Sequence, residues 1–364
     1  KHVLTADYYG DPSGTTLSPA VVAPWVTWVE TSFADNPAVR AVGIKAMYYT
    51  NPNREAPGDP LYTKDESTFA HTCSGSRIGP ITYGQYLMDP GSSDLRQLWK
   101  NFIASRTTST VQWDAIFEDD ANDIYGAPEL PCNYTASAWL AASQGENSYQ
   151  APYPIIYNGL QIANEMGLNV SPNVIGGMEE GCYGGLGYPE MWGHYWIHSA
   201  NVELGMAQQG KLFFCYDHDT TAAASALAGR LYVYASFLIT YTPSSSILWE
   251  IYSTPSNFHV QPESTLVALD PLVAQPSDVS ALQLSSNVYG REYGACYIAG
   301  GYVGPCAAVV NIDRYNSHPY PYGSKYGHTL VLSGGGILDG GKISTSGGAP
   351  ASAIRALQGE IVFR

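Results

Sequence analysis

A regular alternation between short apolar stretches and longer segments of helical periodicity constrains this chain most, and it runs through about the first 250 residues. The apolar stretches are bounded by Gly, Pro or acidic residues, which is typical of β-strands. Eight such strands are predicted, over residues 2–9, 41–49, 67–73, 113–119, 154–159, 173–180, 211–217 and 246–252. The clearest helical segments are 19–36, 92–106, 188–209 and 221–241.

Strands that alternate with helices are typical of a parallel α/β fold. Because there are eight repeats, and no glycine-rich phosphate motif follows the first strand, we predict a (β/α)₈ TIM barrel rather than a doubly wound sheet. After about residue 262 the pattern changes to short strands separated by Gly, Pro, Ser and Asn. The sequence therefore predicts a barrel domain over 1–262 and a small C-terminal antiparallel β-sandwich domain over 263–364.

The charge balance of the chain bears on its partners. The formal net charge is −15, from 32 acidic and 17 basic residues, which opposes binding to nucleic acid or to anionic lipid. Only 13% of the residues are charged while 28 are tyrosines, so uncharged polar and aromatic groups must cover much of the surface. Such a surface suits a polysaccharide or oligosaccharide partner. The oligomeric state stays open.

Several features favour a secreted or extracellular protein, including one held at the cell surface. No apolar run reaches the roughly 18 residues that span a membrane. The sequence begins at Lys1 without a methionine, as removal of a signal peptide or trimming would leave it. The tripeptides 133–135 and 169–171 both fit the N-glycosylation pattern, so we also expect a glycoprotein.

The number of cysteines, six, is even, which fits a disulfide-bonded exported chain. Many pairings are possible, and the layout of the predicted strands and loops favours one of them. In that pairing disulfides join Cys73 with Cys132, Cys182 with Cys215, and Cys296 with Cys306.

The stretch "WDAIFEDDANDIYG", residues 113–126, carries the strongest functional signal. Its apolar strand runs directly into Glu118, Asp119, Asp120 and Asp123. Carboxylates crowded beside a core raise one another's pKa and are costly to desolvate, so the cluster indicates a ligand or a chemical role. Since side chains alternate along a strand, Glu118 and Asp119 must face opposite sides. We take Asp119 as the reacting carboxylate and Asp120 as an auxiliary.

In a (β/α)₈ barrel the active site lies where the carboxyl ends of the strands meet. Glycoside hydrolysis needs two carboxyl groups, and the sixth predicted strand ends in Glu179-Glu180. We predict Glu180 as the second catalytic residue and Glu179 as its alternate. The sequence does not fix the distance between the two carboxyl groups, so it does not decide between retention and inversion of configuration at the sugar. Other polar residues at strand ends are predicted to contact substrate: Asp7, Tyr48, Asn158, Asp217 and Glu250.

Two of these motifs resemble known glycosidase motifs. "WDAIFEDDAND" resembles the "FDGVFLDNVD" type of strand ending in barrel glycosidases of the endo-α-1,4-polygalactosaminidase (spherulin-4-like) group, with Asp119 at the position of the catalytic Asp. "GGMEEG" resembles the sixth-strand ending of hypothetical glycosyl hydrolase family 15, in which "LYVYASFLITY" and "YGREYGACYIAGG" also have counterparts. The resemblance implies a barrel glycosidase that uses Asp119 and Glu180. Glu118 stands where the first group has an aliphatic residue.

We therefore predict an exported glycoside hydrolase that uses two carboxylates and needs no cofactor or metal. One alternative is a non-catalytic carbohydrate-binding or structural surface protein on the same barrel, since a fold does not fix a function. Another is an assembly subunit stabilised by Ca²⁺ at the acidic cluster 118–123, although its spacing does not fit an EF-hand loop.

Overall fold

The chain divides into two compact units, residues 29–178 and residues 1–28 with 179–364. For residues 4–8, 217, 224–226 and 250 only the backbone is described. The computed structural model describes residues 4–8, 18–122, 130–160, 166–184, 195–217, 224–250, 261–337 and 340–364.

The longer helices begin where the sequence supplies a cap. The side chains of Ser92 and Thr135 accept hydrogen bonds from backbone N–H groups in the first turns of the third and fourth helices. Among the helices in the described part of the chain, none combines the length and apolar character needed to cross a membrane. The described α-helices are α1 Pro19–Val22, α2 Asn36–Ala41, α3 Ser93–Ser105, α4 Ala136–Tyr149, α5 Trp196–Gln208 and α6 Ala224–Thr240.

The strands before residue 251 are mostly short and parallel. They are β1 Leu4–Tyr8, β2 Trp28–Thr31, β3 Lys45–Thr50, β4 Arg54–Glu55, β5 Tyr86–Leu87, β6 Ala115–Glu118, β7 Ile155–Asn158, β8 Val174–Glu180, β9 Leu212–Asp217 and β10 Ser246–Glu250.

In the unit 29–178 the parallel strands have the order β2-β3-β6-β7-β8, and Trp28 of β2 and Glu179 and Glu180 of β8 belong to the other unit. Thr50 on β3 pairs with Glu118 on β6, and Glu118 pairs in turn with Tyr157 on β7. This register places the carboxyl ends of the three strands beside one another. It is the arrangement that the alternating sequence pattern predicts for part of an α/β barrel.

Two elements of the sequence prediction were wrong. Residues 67–73 are not a strand of this sheet, and 66–68 form a short 3₁₀ helix. The missing strand is β2, which lies inside the predicted helix 19–36. Helix α1 ends before Pro24, because proline disfavours a helical conformation in the residue before it. All four residues of β2 are buried, as residues inside a parallel sheet are.

The other unit contains a second group of parallel strands, in the order β1-β10-β9. Helices α5 and α6 lie within the predicted segments 188–209 and 221–241. Parallel strands and helices thus alternate in both units, as in an α/β barrel. How the chain divides between a barrel of 1–262 and a domain of 263–364 stays a prediction.

The described strands between residues 266 and 363 form antiparallel sheets, as predicted. One sheet has the order β11-β13-β14-β20-β16, with β12 paired to β13, and the pairs β15–β19 and β17–β18 form small separate sheets. A two-layer sandwich stays a prediction. The strands are β11 Leu266–Pro271, β12 Gln283–Ser285, β13 Val288–Ile298, β14 Gly301–Asn311, β15 His318–Pro319, β16 His328–Thr329, β17 Val331–Leu332, β18 Ile343–Ser344, β19 Ala353–Ile354 and β20 Gln358–Phe363.

The disulfide pairing suggested by the sequence layout is confirmed. All six cysteines are paired, and each bond lies within one unit. The bonds are Cys73–Cys132, Cys182–Cys215 and Cys296–Cys306, with Cα–Cα distances of 4.8, 5.4 and 6.0 Å.

Candidate active site

Asp119 follows directly after β6, and three donors hold its carboxylate. The Tyr49 hydroxyl donates to Oδ2 at 2.6 Å, and the Asn158 amide donates to Oδ1 at 2.8 Å. The backbone N–H of Asp120 also donates to Oδ1, at 2.9 Å. The Asp119 backbone N–H donates to the Thr50 carbonyl at 2.9 Å, which extends the β3–β6 ladder. The ends of three neighbouring strands therefore fix this one side chain.

These contacts orient the Asp119 carboxylate and leave it accessible. Burial and the negative charge of Asp119 raise the pKa of Tyr49, so its hydroxyl keeps the proton that it donates. The Asp119 carboxylate accepts all three hydrogen bonds, so its orientation is fixed. Its side chain is only partly buried and 38% of Tyr49 is exposed, so a ligand can reach both. An oriented, accessible anion can act as a base or a nucleophile.

The turn after Asp119 has unusual backbone geometry. Asp120 and Asn122 adopt left-handed φ angles of 51° and 57°, which non-glycine residues rarely do and which often mark functional sites. The Asn51 amide donates to Asp120 Oδ2 at 2.8 Å, and the Arg54 guanidinium lies 3.5 Å from Oδ1. Asp120 thus anchors the turn and has a positive partner.

Glu118 faces the opposite side of the sheet, as strand alternation predicted. Its side chain is fully buried and accepts a hydrogen bond from the Asn53 amide at 3.2 Å. The predicted acidic cluster is therefore divided between two faces, and Asp123 lies outside the described residues. Within the residues that the structure describes, no group of three or more His, Cys, Asp or Glu side chains is arranged to hold a metal ion.

The structure brings Asn158 to Asp119 and places Tyr48 elsewhere. The Tyr48 ring lies against Phe102 and Trp113, with centroid distances of 5.9 and 4.7 Å, so it faces the helix side. On this strand it is the neighbouring Tyr49 that contacts Asp119.

Sequence reasoning also missed Glu30, whose charge contributes to the raised pKa of Tyr49. It was missed because β2 had been read as helix. An acidic residue within a short stretch of β-branched and aromatic residues was the signal available for it.

Glu179 and Glu180 end strand β8 and have different environments. Glu179 is 3% exposed and accepts a hydrogen bond from the Ser199 hydroxyl on α5 at 2.6 Å. Ser199 also accepts from the Tyr183 backbone N–H at 3.0 Å, which ties the turn after β8 to the helix. Glu180 is exposed. Glu179 therefore has a structural partner inside its unit, whereas Glu180 is accessible to a ligand.

The remaining predicted contacts lie at strand ends in the same unit as Glu180. Glu250 pairs with Asp217 across β10 and β9, and it pairs with Ala6, the residue before Asp7, across β10 and β1. Their backbones are therefore neighbours at the carboxyl ends of three parallel strands. The side chains of Asp7, Asp217 and Glu250 lie outside the described part of the structure.

Comparison with solved structures finds similar folds among glycoside hydrolases. An α-amylase from Lactobacillus plantarum matches with a TM-score of 0.50 at 12% identity, over 99% of this chain and 98% of that chain. The glycoside hydrolase domain of PelA from Pseudomonas aeruginosa matches with a TM-score of 0.43 at 9% identity, over 67% of this chain and 93% of that chain. Ega3 from Aspergillus fumigatus, solved in complex with galactosamine, matches with a TM-score of 0.42 at 13% identity, over 70% and 91%.

No protein-family model matches the sequence, and no curated protein matches it. The similarity to the amylase extends over nearly all of both chains and supports the α/β barrel fold. At this identity it is a similarity of fold, so the function has to be argued from the site.

Proposed function

We propose that this protein is a glycoside hydrolase that cleaves a polysaccharide or oligosaccharide, with Asp119 as its ionised catalytic carboxylate. The observation that carries the proposal is the three-donor environment of Asp119, at the carboxyl ends of parallel strands and open to solvent. Oriented carboxylates at this end of an α/β barrel are typical of catalysis. The partly exposed Tyr49 adds an aromatic face of the kind that packs against sugar rings.

Glu180 is our candidate for the second carboxyl group that glycoside hydrolysis requires. Glu118 is fully buried, and Glu179 is buried and bonded to Ser199, so neither is open to a substrate. The exposure of Glu180 favours it over its neighbour. We propose Asn158, Asp7, Asp217 and Glu250 as substrate contacts.

We also propose that the protein works outside the cell as a glycoprotein. Three disulfides are typical of proteins that fold in an oxidising compartment.

The test is release of reducing ends from a panel of polysaccharides and amino-polysaccharides. We expect Asp119→Asn and Glu180→Gln to lower kcat by about 10³-fold or more, because each change removes a reacting carboxyl group. The control is Asp114→Asn, since Asp114 lies just before β6 and bonds to Arg40 at 3.2 Å. This variant should keep near-normal turnover.

All three variants should keep the wild-type circular dichroism spectrum. Near-normal turnover in Asp119→Asn would remove the proposed role of Asp119. A wild-type protein that retains a saccharide but releases no reducing ends would be a binding protein instead.

A further inference from the structure

Two buried glutamates that the proposed reaction does not use lie on the helix side of β6. Glu118 ends that strand, and Glu146 lies on α4; neither side chain has measurable exposure. The charge of Glu118 acts on Glu146, so the two carboxyls are close enough to interact. A buried acid pair is costly unless it is neutralised, which raises the question of why the chain keeps it.

The Asn53 side chain connects this pair to Asp119. Its amide nitrogen donates to Glu118 Oε1 at 3.2 Å and to the backbone carbonyl of Asp119 at 3.2 Å. Asn53 is itself 1% exposed. A primary amide has two N–H bonds, so it can serve both acceptors at once. The position of the Asp119 backbone is therefore coupled to the Glu118 carboxyl.

The surroundings of the pair favour its protonated form. Among the described residues, neither side-chain oxygen of Glu146 has a hydrogen-bond partner, and an anion without donors is strongly disfavoured when buried. Burial raises the pKa of Glu118 to about 7, the amides of Asn53 and Asn147 oppose this, and the charge of Asp119 adds to it.

Burial also raises the pKa of Glu146, as do the charges of Glu118 and Asp89, while the Arg96 guanidinium acts in the opposite direction. Burial therefore disfavours the charged form of both carboxyls.

We propose that Glu118 and Glu146 are a buried positioning pair, in which Glu118, kept protonated beside Glu146, holds Asp119 in place through Asn53. While Glu118 is neutral, the Asn53 amide divides its two N–H bonds between Glu118 and the Asp119 carbonyl. When the proton is lost to solvent, the anionic Glu118 attracts that amide more strongly and places a second negative charge next to Asp119. The pair thus makes the geometry of Asp119 depend on pH. Its effect on turnover rests on the proposed hydrolase function.

The first experiment measures kcat and KM against pH. Glu118→Gln keeps an acceptor for Asn53 but cannot titrate, so we expect wild-type kcat at acid pH and the loss of an alkaline decline centred near pH 7. Glu118→Leu removes the acceptor, and we expect kcat to fall about 10-fold or more at every pH with KM unchanged, because Asp119 is displaced. Asn53→Ala should resemble Glu118→Leu.

The second experiment does not depend on turnover. Carbon-13 NMR of carboxyl-labelled Asp and Glu, assigned with Asp119→Asn, should show an inflection of the Asp119 signal that shares its midpoint with Glu118. Glu118→Gln should abolish that inflection. Glu203→Gln is the matched control, because Glu203 is also fully buried and is bonded instead to Thr240 at 2.5 Å. It should leave the Asp119 signal unchanged.

The outcomes separate the two proposals. An Asp119 signal with no inflection shared with Glu118, or a Glu118→Gln variant that keeps the wild-type pH profile, would overturn the positioning pair. A protein that hydrolyses no saccharide but shows the coupled NMR titration would keep the pair and reject the hydrolase.

Discussion

At the scale of single residues, the site depends on which face of a strand a side chain occupies. Asp119 and Glu118 are adjacent, yet Asp119 accepts three hydrogen bonds in a solvent-accessible position while Glu118 is sealed on the helix side. Tyr49 and Tyr48 on β3 divide in the same way. In each pair the two residues share nearly the same chemistry, so the difference in environment decides the role.

The tyrosine pair gives a test with a built-in control. Tyr49→Phe removes the hydroxyl that donates to Asp119 at 2.6 Å. A hydrogen bond to a charged group contributes about 1.5–3 kcal/mol, so we expect kcat to fall about 10- to 100-fold. Tyr48→Phe should change kcat less than about 2-fold, because that ring packs against Phe102 and Trp113 on the helix side. Equal losses in the two variants would mean that Tyr49 has no particular link to Asp119.

The two N-glycosylation tripeptides also differ in environment. Asn133 is exposed, with a left-handed φ of 75°, and Thr135 beside it is exposed. Asn169 is 7% exposed and accepts a hydrogen bond from the Tyr157 hydroxyl at 3.1 Å. We expect a glycan on Asn133 and none on Asn169 when the chain is secreted from a glycosylating host. Mass spectrometry of glycopeptides, with Asn133→Gln and Asn169→Gln as paired variants, checks this, and a glycan found only on Asn169 would contradict it.

At the scale of elements, the parallel strands that end in acidic residues were predictable, because their apolar runs are bounded by clear polar ends. Strand β2 was not, since its four residues continue an apolar periodicity that begins in α1. The choice between Tyr48 and Tyr49 needed the register as well. Tyr49 pairs with Phe117, and Phe117 shares a face with Asp119, but pairing between strands is not encoded in either strand alone.

The end of β7 lies close against the turn that follows β6, and this contact gives a prediction. A Cβ on Gly159, just after β7, would lie 2.7 Å from the Ala121 carbonyl, so Gly159→Ala must displace the turn that carries Asp119. We expect a loss of about 1–3 kcal/mol in the free energy of unfolding and a several-fold lower kcat. Gly348→Ala is the control, because a Cβ there meets nothing within 4 Å. Urea unfolding and initial rates measure both effects, and a Gly159→Ala variant as stable and active as Gly348→Ala would show that the contact is not needed.

At the scale of the whole molecule, the chain combines a net charge of −15 with several carboxyl groups in its interior. Burial raises the pKa of Glu55 to about 8, and that of Glu118 and of Glu203 to about 7. These groups lie in both compact units, so the effect is not confined to the candidate site. A protein of this composition should be more stable in mildly acidic than in alkaline solution.

Glu203 allows this dependence to be measured at one residue. Its ordinary pKa of 4.5 applies to the unfolded chain, and burial raises the pKa in the folded chain to about 7. Below pH 4.5 Glu203 is protonated in both the folded and the unfolded chain, and its contribution to the free energy of unfolding is fully present. Between pH 4.5 and 7 Glu203 loses its proton only in the unfolded chain, so the free energy of unfolding falls as the pH rises. At about 1.4 kcal/mol per pH unit, the loss by pH 8 is about 3 kcal/mol. The free energy of unfolding, measured with urea, falls as the pH rises from 4.5 to 8, and Glu203→Gln should remove the contribution of Glu203 to that fall.

The control for this measurement is Asp278→Asn. Hydrogen bonds from Ser280 lower the pKa of Asp278 below its ordinary 3.8, so its stabilising effect is complete above pH 3.8 and is lost only as the pH falls further. Asp278→Asn should therefore leave the slope between pH 5 and 8 at its wild-type value. If the Glu203→Gln curve instead runs parallel to the wild-type curve over that range, Glu203 is ionised in the folded chain at neutral pH. Its bonds to Tyr183 and Thr240 would then have to outweigh the cost of burying the charge.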